Sequence, residues 1–62
     1  MKYFGFVVFG MDGDVQDLEV DCDYKPSHES CGMSYAKWFT DKDERDRVRD
    51  YTIKEIEVKQ NG

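Results

Sequence analysis

Three side chains in the middle of the chain have the types for metal binding or nucleophilic chemistry. They are Cys22, His28 and Cys31, spaced Cys-x5-His-x2-Cys. Thiolates and imidazole are zinc ligands, but a closed zinc site takes four of them. A carboxylate such as Asp23 or Glu29, or a second chain, would have to supply the fourth. The paired Cys-x2-Cys knuckle that marks structural zinc is missing. His28 and Cys31 also match a base and a nucleophile. Three residues apart in a loop, they lack a third group to orient the base. The plainer reading makes Cys22 a small apolar residue beside Val20, with His28 and Cys31 as loop residues. No catalytic residue, metal or cofactor is expected.

The second constellation is acidic. In "DLEVDCD", Asp17, Glu19, Asp21 and Asp23 recur every second residue. On a strand they share one face, about 6.6–6.8 Å apart. Asp12 and Asp14 extend the row into the preceding turn. Like charges this close repel by roughly a few tenths of a kcal/mol per exposed pair, and Asp is depleted in strands. Three uses compete. The carboxylates could be a solvated face that guards a small sheet against edge aggregation. They could be a docking face for a basic partner. They could also bind a hard divalent cation, but a straight strand spreads its carboxylates in a line while a metal needs them to converge. The calcium-loop pattern is absent. Uniform, wet carboxylates also lack the differently tuned environments that acid–base catalysis requires.

The charge distribution points the same way. The net charge is −5 over 62 residues. Residues 11–29 carry −6, residues 1–10 carry +1, and residues 30–62 balance. Such an asymmetry speaks to what is bound and not to the fold. The length fits one domain, residues 1–62, with a marginal core. Two cysteines are too few for a staple-dependent secreted scaffold. The apolar run after Lys2 lacks a cleavage site and is too short to span a bilayer. A cytoplasmic protein with free thiols is expected, with no membrane partner.

These residues need elements to hold them. Residues 2–10 are aromatic and β-branched on both faces, which suits a strand covered on both sides. Asp12-Gly13 is a hairpin signal. Residues 15–24 alternate, with Leu18, Val20, Cys22 and Tyr24 turned to a core and the acids turned outward. Residues 25–32 read as a loop, and 33–39, "MSYAKWF", as a third strand. Residues 40–50 read as a helix capped at Thr40 or Asp41, with Glu44 at capping-box spacing. Residues 52–59, "TIKEIEVK", read as a closing strand. The expected fold is α+β, a small antiparallel sheet with one helix packed on it, in the order β-β-β-α-β.

Two resemblances bear on function. "KYFGFVVF", residues 2–9, fits seven of the eight positions of the RNA-recognition signature, with Tyr3 where that signature has Gly. That resemblance implies a stacking platform of Phe4 and Phe6 with Lys2 as phosphate contact, and Tyr3, Val7 and Phe9 in the core. The upstream strand and helix of that domain are missing, and the adjoining −6 segment would repel a phosphate backbone. Direct nucleic-acid binding is therefore not the leading expectation. In length, acidity and β-rich makeup the chain resembles the small acidic proteins that bacteriophages use to block host enzymes or defence systems, several of which imitate DNA. That resemblance implies an inhibitor or regulator of a basic, nucleic-acid-handling host protein. Asp12, Asp14, Asp17, Glu19, Asp21 and Asp23 would form its charged contact, with Trp38 as apolar anchor. The alternative from another class is a homo-oligomeric module in which copies, such as a homodimer, bury the aromatic sheet face and the acids only solubilise.

Overall fold

Aromatic and β-branched residues dominate the first strand, and it takes an inner place in the sheet. The computed structural model describes the backbone of residues 1–61 and the side chains of residues 1–59. The elements are β1 (Lys2–Phe9), β2 (Asp14–Asp21), β3 (Glu29–Cys31), β4 (Ser34–Phe39) and α1 (Lys42–Asn61). The strands form one antiparallel sheet in the order β2-β1-β4-β3. An α+β fold with one helix on a small antiparallel sheet is thus the architecture.

The order is β-β-β-β-α, which corrects the expected β-β-β-α-β. Residues 52–59 continue the helix instead of forming a strand. Asp41 caps α1, its carboxylate accepting from the Asp43 amide at 3.3 Å and its carbonyl from the Arg45 amide at 3.1 Å. Beyond that cap no Gly or Pro interrupts the chain before Gly62, so nothing stops propagation. Thr52 bonds back to the Val48 carbonyl at 2.8 Å, which satisfies its hydroxyl inside the helix. The missing strand is replaced by β3, only three residues long and exposed throughout. It pairs with β4 through a two-residue turn at Gly32-Met33.

The β1–β2 hairpin forms at the expected place. Gly13 has φ 68°, and its amide donates to the Phe9 carbonyl at 2.8 Å. Only glycine takes that backbone without strain.

Register assigns the two sheet faces. Phe6 stands opposite Asp17 on β2 and Lys37 on β4. Phe4, Phe6, Val8, Tyr35 and Phe39 therefore share one face with Asp17 and Glu19. The helix lies on this face, over β1 and β4. Phe6 is wholly buried there, stacked on Phe39 at 6.2 Å, and Val8 is buried beside it. The other face carries Tyr3, Gly5, Val7, Leu18, Val20 and Trp38, and no second layer covers it among the described residues.

The implications of the RNA-recognition resemblance divide here. Phe4 and Phe6 do not form an open stacking platform, because they lie on the helix side. Tyr3, Val7 and Phe9 lie on the other face, where Tyr3 is buried as that resemblance implies, Val7 is half-buried and Phe9 is exposed.

Candidate interaction edge

The acids sit on β2 because alternation places them there, and β2 lies at the sheet edge because only β1 pairs with it. Their surroundings differ from the sequence expectation. Asp17, Glu19 and Asp21 point to the helix side, at its margin, and not to a bare face opposite the core. The physical cause is the helix's inner stripe, which contains two arginines.

Arg45 is buried at 5% exposure. Its Nη1 donates to the carbonyl of Gly5 at 2.9 Å and of Leu18 at 3.2 Å, and its Nε to Asp46 at 2.7 Å. Its guanidinium also stands 5.9 Å from the Phe4 ring centre. One turn on, Arg49 donates to Asp17 at 2.7 Å and to Asp50 at 3.1 Å, and lies 3.3 Å from Asp46. Its hydrogen bond to Asp17, reinforced by that to Asp50, raises the guanidinium's pKa. The hydrogen bond from Arg45 lowers the Asp46 pKa, helped by the nearby charges of Arg45 and Arg49.

The remaining ladder residues are also engaged. Lys2 reaches Glu19 at 3.7 Å, and the N-terminal amine reaches Asp21 at 3.2 Å. Both pairs are largely exposed and contribute little to stability. Asp12 in the turn, Asp14 at the start of β2 and Asp23 beyond its end are exposed, with no ion pair among the described residues. The evenly charged row of the sequence is therefore a partly compensated strand with free acids at both ends.

The expected anchor Trp38 does not join them. It stands opposite Gly5, on the helix-free face. Of the β2 acids, only Asp14 shares that side by register, and Glu29 on β3, opposite Ala36, shares it too. Leu18 and Val20 are half-buried on the same face and do not enter the helix-covered core.

The edge has one property that composition does not reveal. Cys22 donates to the Met1 carbonyl across the β1–β2 ladder at 3.0 Å. Antiparallel pairs alternate between bonded and non-bonded, so even-numbered residues of β2 turn their peptide groups toward β1. Val15, Asp17, Glu19 and Asp21 turn theirs outward. Three of the four residues that offer free N–H and C=O groups at the edge are thus acidic.

The other constellations do not assemble. Cys22 follows β2 at one edge of the sheet, while Cys31 ends β3 at the opposite edge. Both thiols are free, and Cys22 Sγ contacts the Tyr24 carbonyl at 2.9 Å. His28 Nδ1 accepts from the Trp38 amide at 3.0 Å, extending the β3–β4 pairing. Among the described residues no group of three His, Cys, Asp or Glu converges to hold a metal ion. A groove of about 360 Å³ runs between the second half of α1 and the two turns, lined by Val8, Met11, Met33, Tyr35 and Ile56. Its charged side chains are Glu55 and Lys59. No described helix is long and apolar enough to cross a membrane.

Comparison with protein families, characterised proteins and solved structures finds no match to this chain.

Proposed function

We propose that this chain is a non-catalytic interaction protein that binds a basic protein along β2, and so inhibits or regulates it. One observation carries the reading: the strand's carboxylates coincide with its free backbone edge. Asp17, Glu19 and Asp21 combine an outward peptide group with a negative side chain, while Leu18 and Val20 alternate between them on the other face. A partner segment of extended chain, alternating Lys or Arg with apolar residues, would add to this edge as a fifth strand. Main-chain hydrogen bonds would give affinity and the cross-strand charge pairs specificity.

The acids keep a negative balance after internal pairing. Asp12, Asp14, Asp17, Glu19, Asp21 and Asp23 outnumber the cations that reach them, namely the N-terminal amine, Lys2 and Arg49. Arg49 is further divided among Asp17, Asp46 and Asp50. Proteins that grip nucleic acid expose dense Lys and Arg, so a nucleic-acid-handling protein is the partner class this edge suits. The reading requires a negative edge and not a replica of a phosphate strand. Trp38 takes no part in it.

A titration tests this. A fluorescent peptide of alternating lysine and valine should bind the protein, with affinity that falls steeply as salt screens the charges. Reversal of Asp17, Glu19 and Asp21 to Lys should abolish binding. Equal binding by the reversed protein would overturn the proposal.

A further inference from the structure

One cation of this chain already sits on the acidic edge. The Arg49 guanidinium reaches across from α1 and engages carboxylates with all three of its nitrogens. Nη1 lies 2.7 Å from Asp17 and 3.3 Å from Asp46, while Nε and Nη2 lie 3.2 Å and 3.1 Å from Asp50. Resting on the docking reading of β2, we propose that Arg49 is a resident competitor for that edge. A basic strand gains Asp17 only as Arg49 gives it up, so this one side chain sets how tightly the edge binds.

Register brings both cations to the same carboxylate. Asp17 turns its peptide group outward, so it would form a hydrogen-bonded pair with the residue opposite it on an added antiparallel strand. Side chains of such a pair stand on one face. The arriving Lys or Arg therefore points to the helix side, where Arg49 lies, and two cations at one carboxylate repel.

Arg49 can yield without moving the backbone. Its Asp17 contact alone crosses to the sheet; Asp46 and Asp50 stand on α1 itself, three residues before it and one after. A guanidinium that leaves Asp17 keeps those two carboxylates. Arg45 has no such freedom, being buried against the Gly5 and Leu18 carbonyls. Lys2 and the N-terminal amine also reach the ladder, at Glu19 and Asp21, but through single exposed contacts that an arriving charge displaces easily. Of the three cations on the ladder, Arg49 is held most firmly, with its side chain 23% exposed.

Titration with the alternating lysine–valine peptide at about 0.15 M salt tests the exchange. Arg49→Lys keeps the net charge, but one ammonium cannot hold three carboxylates as the planar fork does. It should bind the peptide more tightly than wild type. Arg49→Gln should bind more tightly still, by about fivefold over wild type, the worth of one exposed charge pair. Arg47→Gln makes the same charge change two residues away, on another side of the helix. Arg47 is exposed and makes no ion pair among the described residues, so this variant should stay within about twofold of wild type. Lys and Gln are both good helix formers, and far-ultraviolet spectra check that each variant folds; if one does not, the other decides. Equal affinity of wild type and Arg49→Lys, or equal gains from Arg47→Gln and Arg49→Gln, would overturn the inference and leave the docking reading standing. Peptide binding by none of the proteins would overturn both.

Discussion

The indole of Trp38 lies across Gly5. A methyl group on Gly5 would meet Trp38 ring carbons at 2.7 and 2.9 Å and the Lys37 carbonyl at 2.5 Å. The inner strand lacks a side chain at this point, and the neighbouring strand fills the space. Gly5→Ala should therefore destabilise the fold by about 1–3 kcal/mol, as forced overpacking does. Urea unfolding followed by Trp38 emission measures it. A variant as stable as the parent would show that the indole moves aside freely.

On the opposite face, the same glycine offers its carbonyl to Arg45. Arg45→Met keeps the apolar stem and removes the donors to Gly5, Leu18 and Asp46. The expected loss is about 1–3 kcal/mol, from the charge-assisted hydrogen bonds that the guanidinium adds to carbonyls already paired in the ladder. Arg45→Lys should recover only part, because one ammonium cannot span the three acceptors. Denaturant midpoints of the three proteins would rank them.

Acid stability follows from Asp46. The hydrogen bond from Arg45 lowers its pKa below the ordinary 3.8. A carboxyl whose folded pKa is lowered adds stability that is complete above its unfolded pKa and lost as pH falls through the folded one. The protein should therefore lose stability as pH drops below about 4. Asp46→Asn should be less stable than the parent at neutral pH and should flatten this dependence. Thermal melts between neutral pH and strong acid would read both effects. An unchanged acid slope would place the titration elsewhere.

The partly compensated strand predicts a graded response to neutral substitutions. Asp17→Asn removes a charge already held by Arg49, which then keeps Asp46 and Asp50. Replacing Asp12, Asp14 and Asp23 with Asn removes charges that no described cation offsets. The triple variant should weaken binding of a basic peptide more through slower association than through faster release, since uncompensated rim charge steers encounter. Stopped-flow rates against salt would separate the two effects.

Much of this fold is written locally. The β1 run, the Asp12-Gly13 turn, the alternation of β2, the strand at Tyr35–Phe39 and the Asp41 cap are all short-range signals, and each appears where its residues indicate. Thr52–Lys59 misleads because β-branched residues favour strands, yet a capped helix without a breaker continues through them. The three residues of β3 carry too little pattern to be seen alone.

For the candidate site, the parity of β2 is legible and the choice of face is not. Reading apolar side chains as inward assumes that one covered face holds all of them. A single helix covers one face, and this helix meets the sheet with Arg45, Arg49 and Thr52. The usable signal was the i,i+4 spacing of Arg45 and Arg49, which matches a helix laid beside acids. The outward peptide groups of Asp17, Glu19 and Asp21 follow from hydrogen-bond phase, which composition does not encode.

The claim that β2 is an acidic docking edge is tested most directly by mapping where a basic strand binds. Backbone amide resonances of the protein would be followed while the alternating lysine–valine peptide is added. The account predicts shifts concentrated at Val15, Asp17, Glu19 and Asp21, slowed hydrogen exchange at those outward amides, and loss of both effects at high salt. Shifts centred on β3, on the helix, or spread evenly over the surface would contradict it.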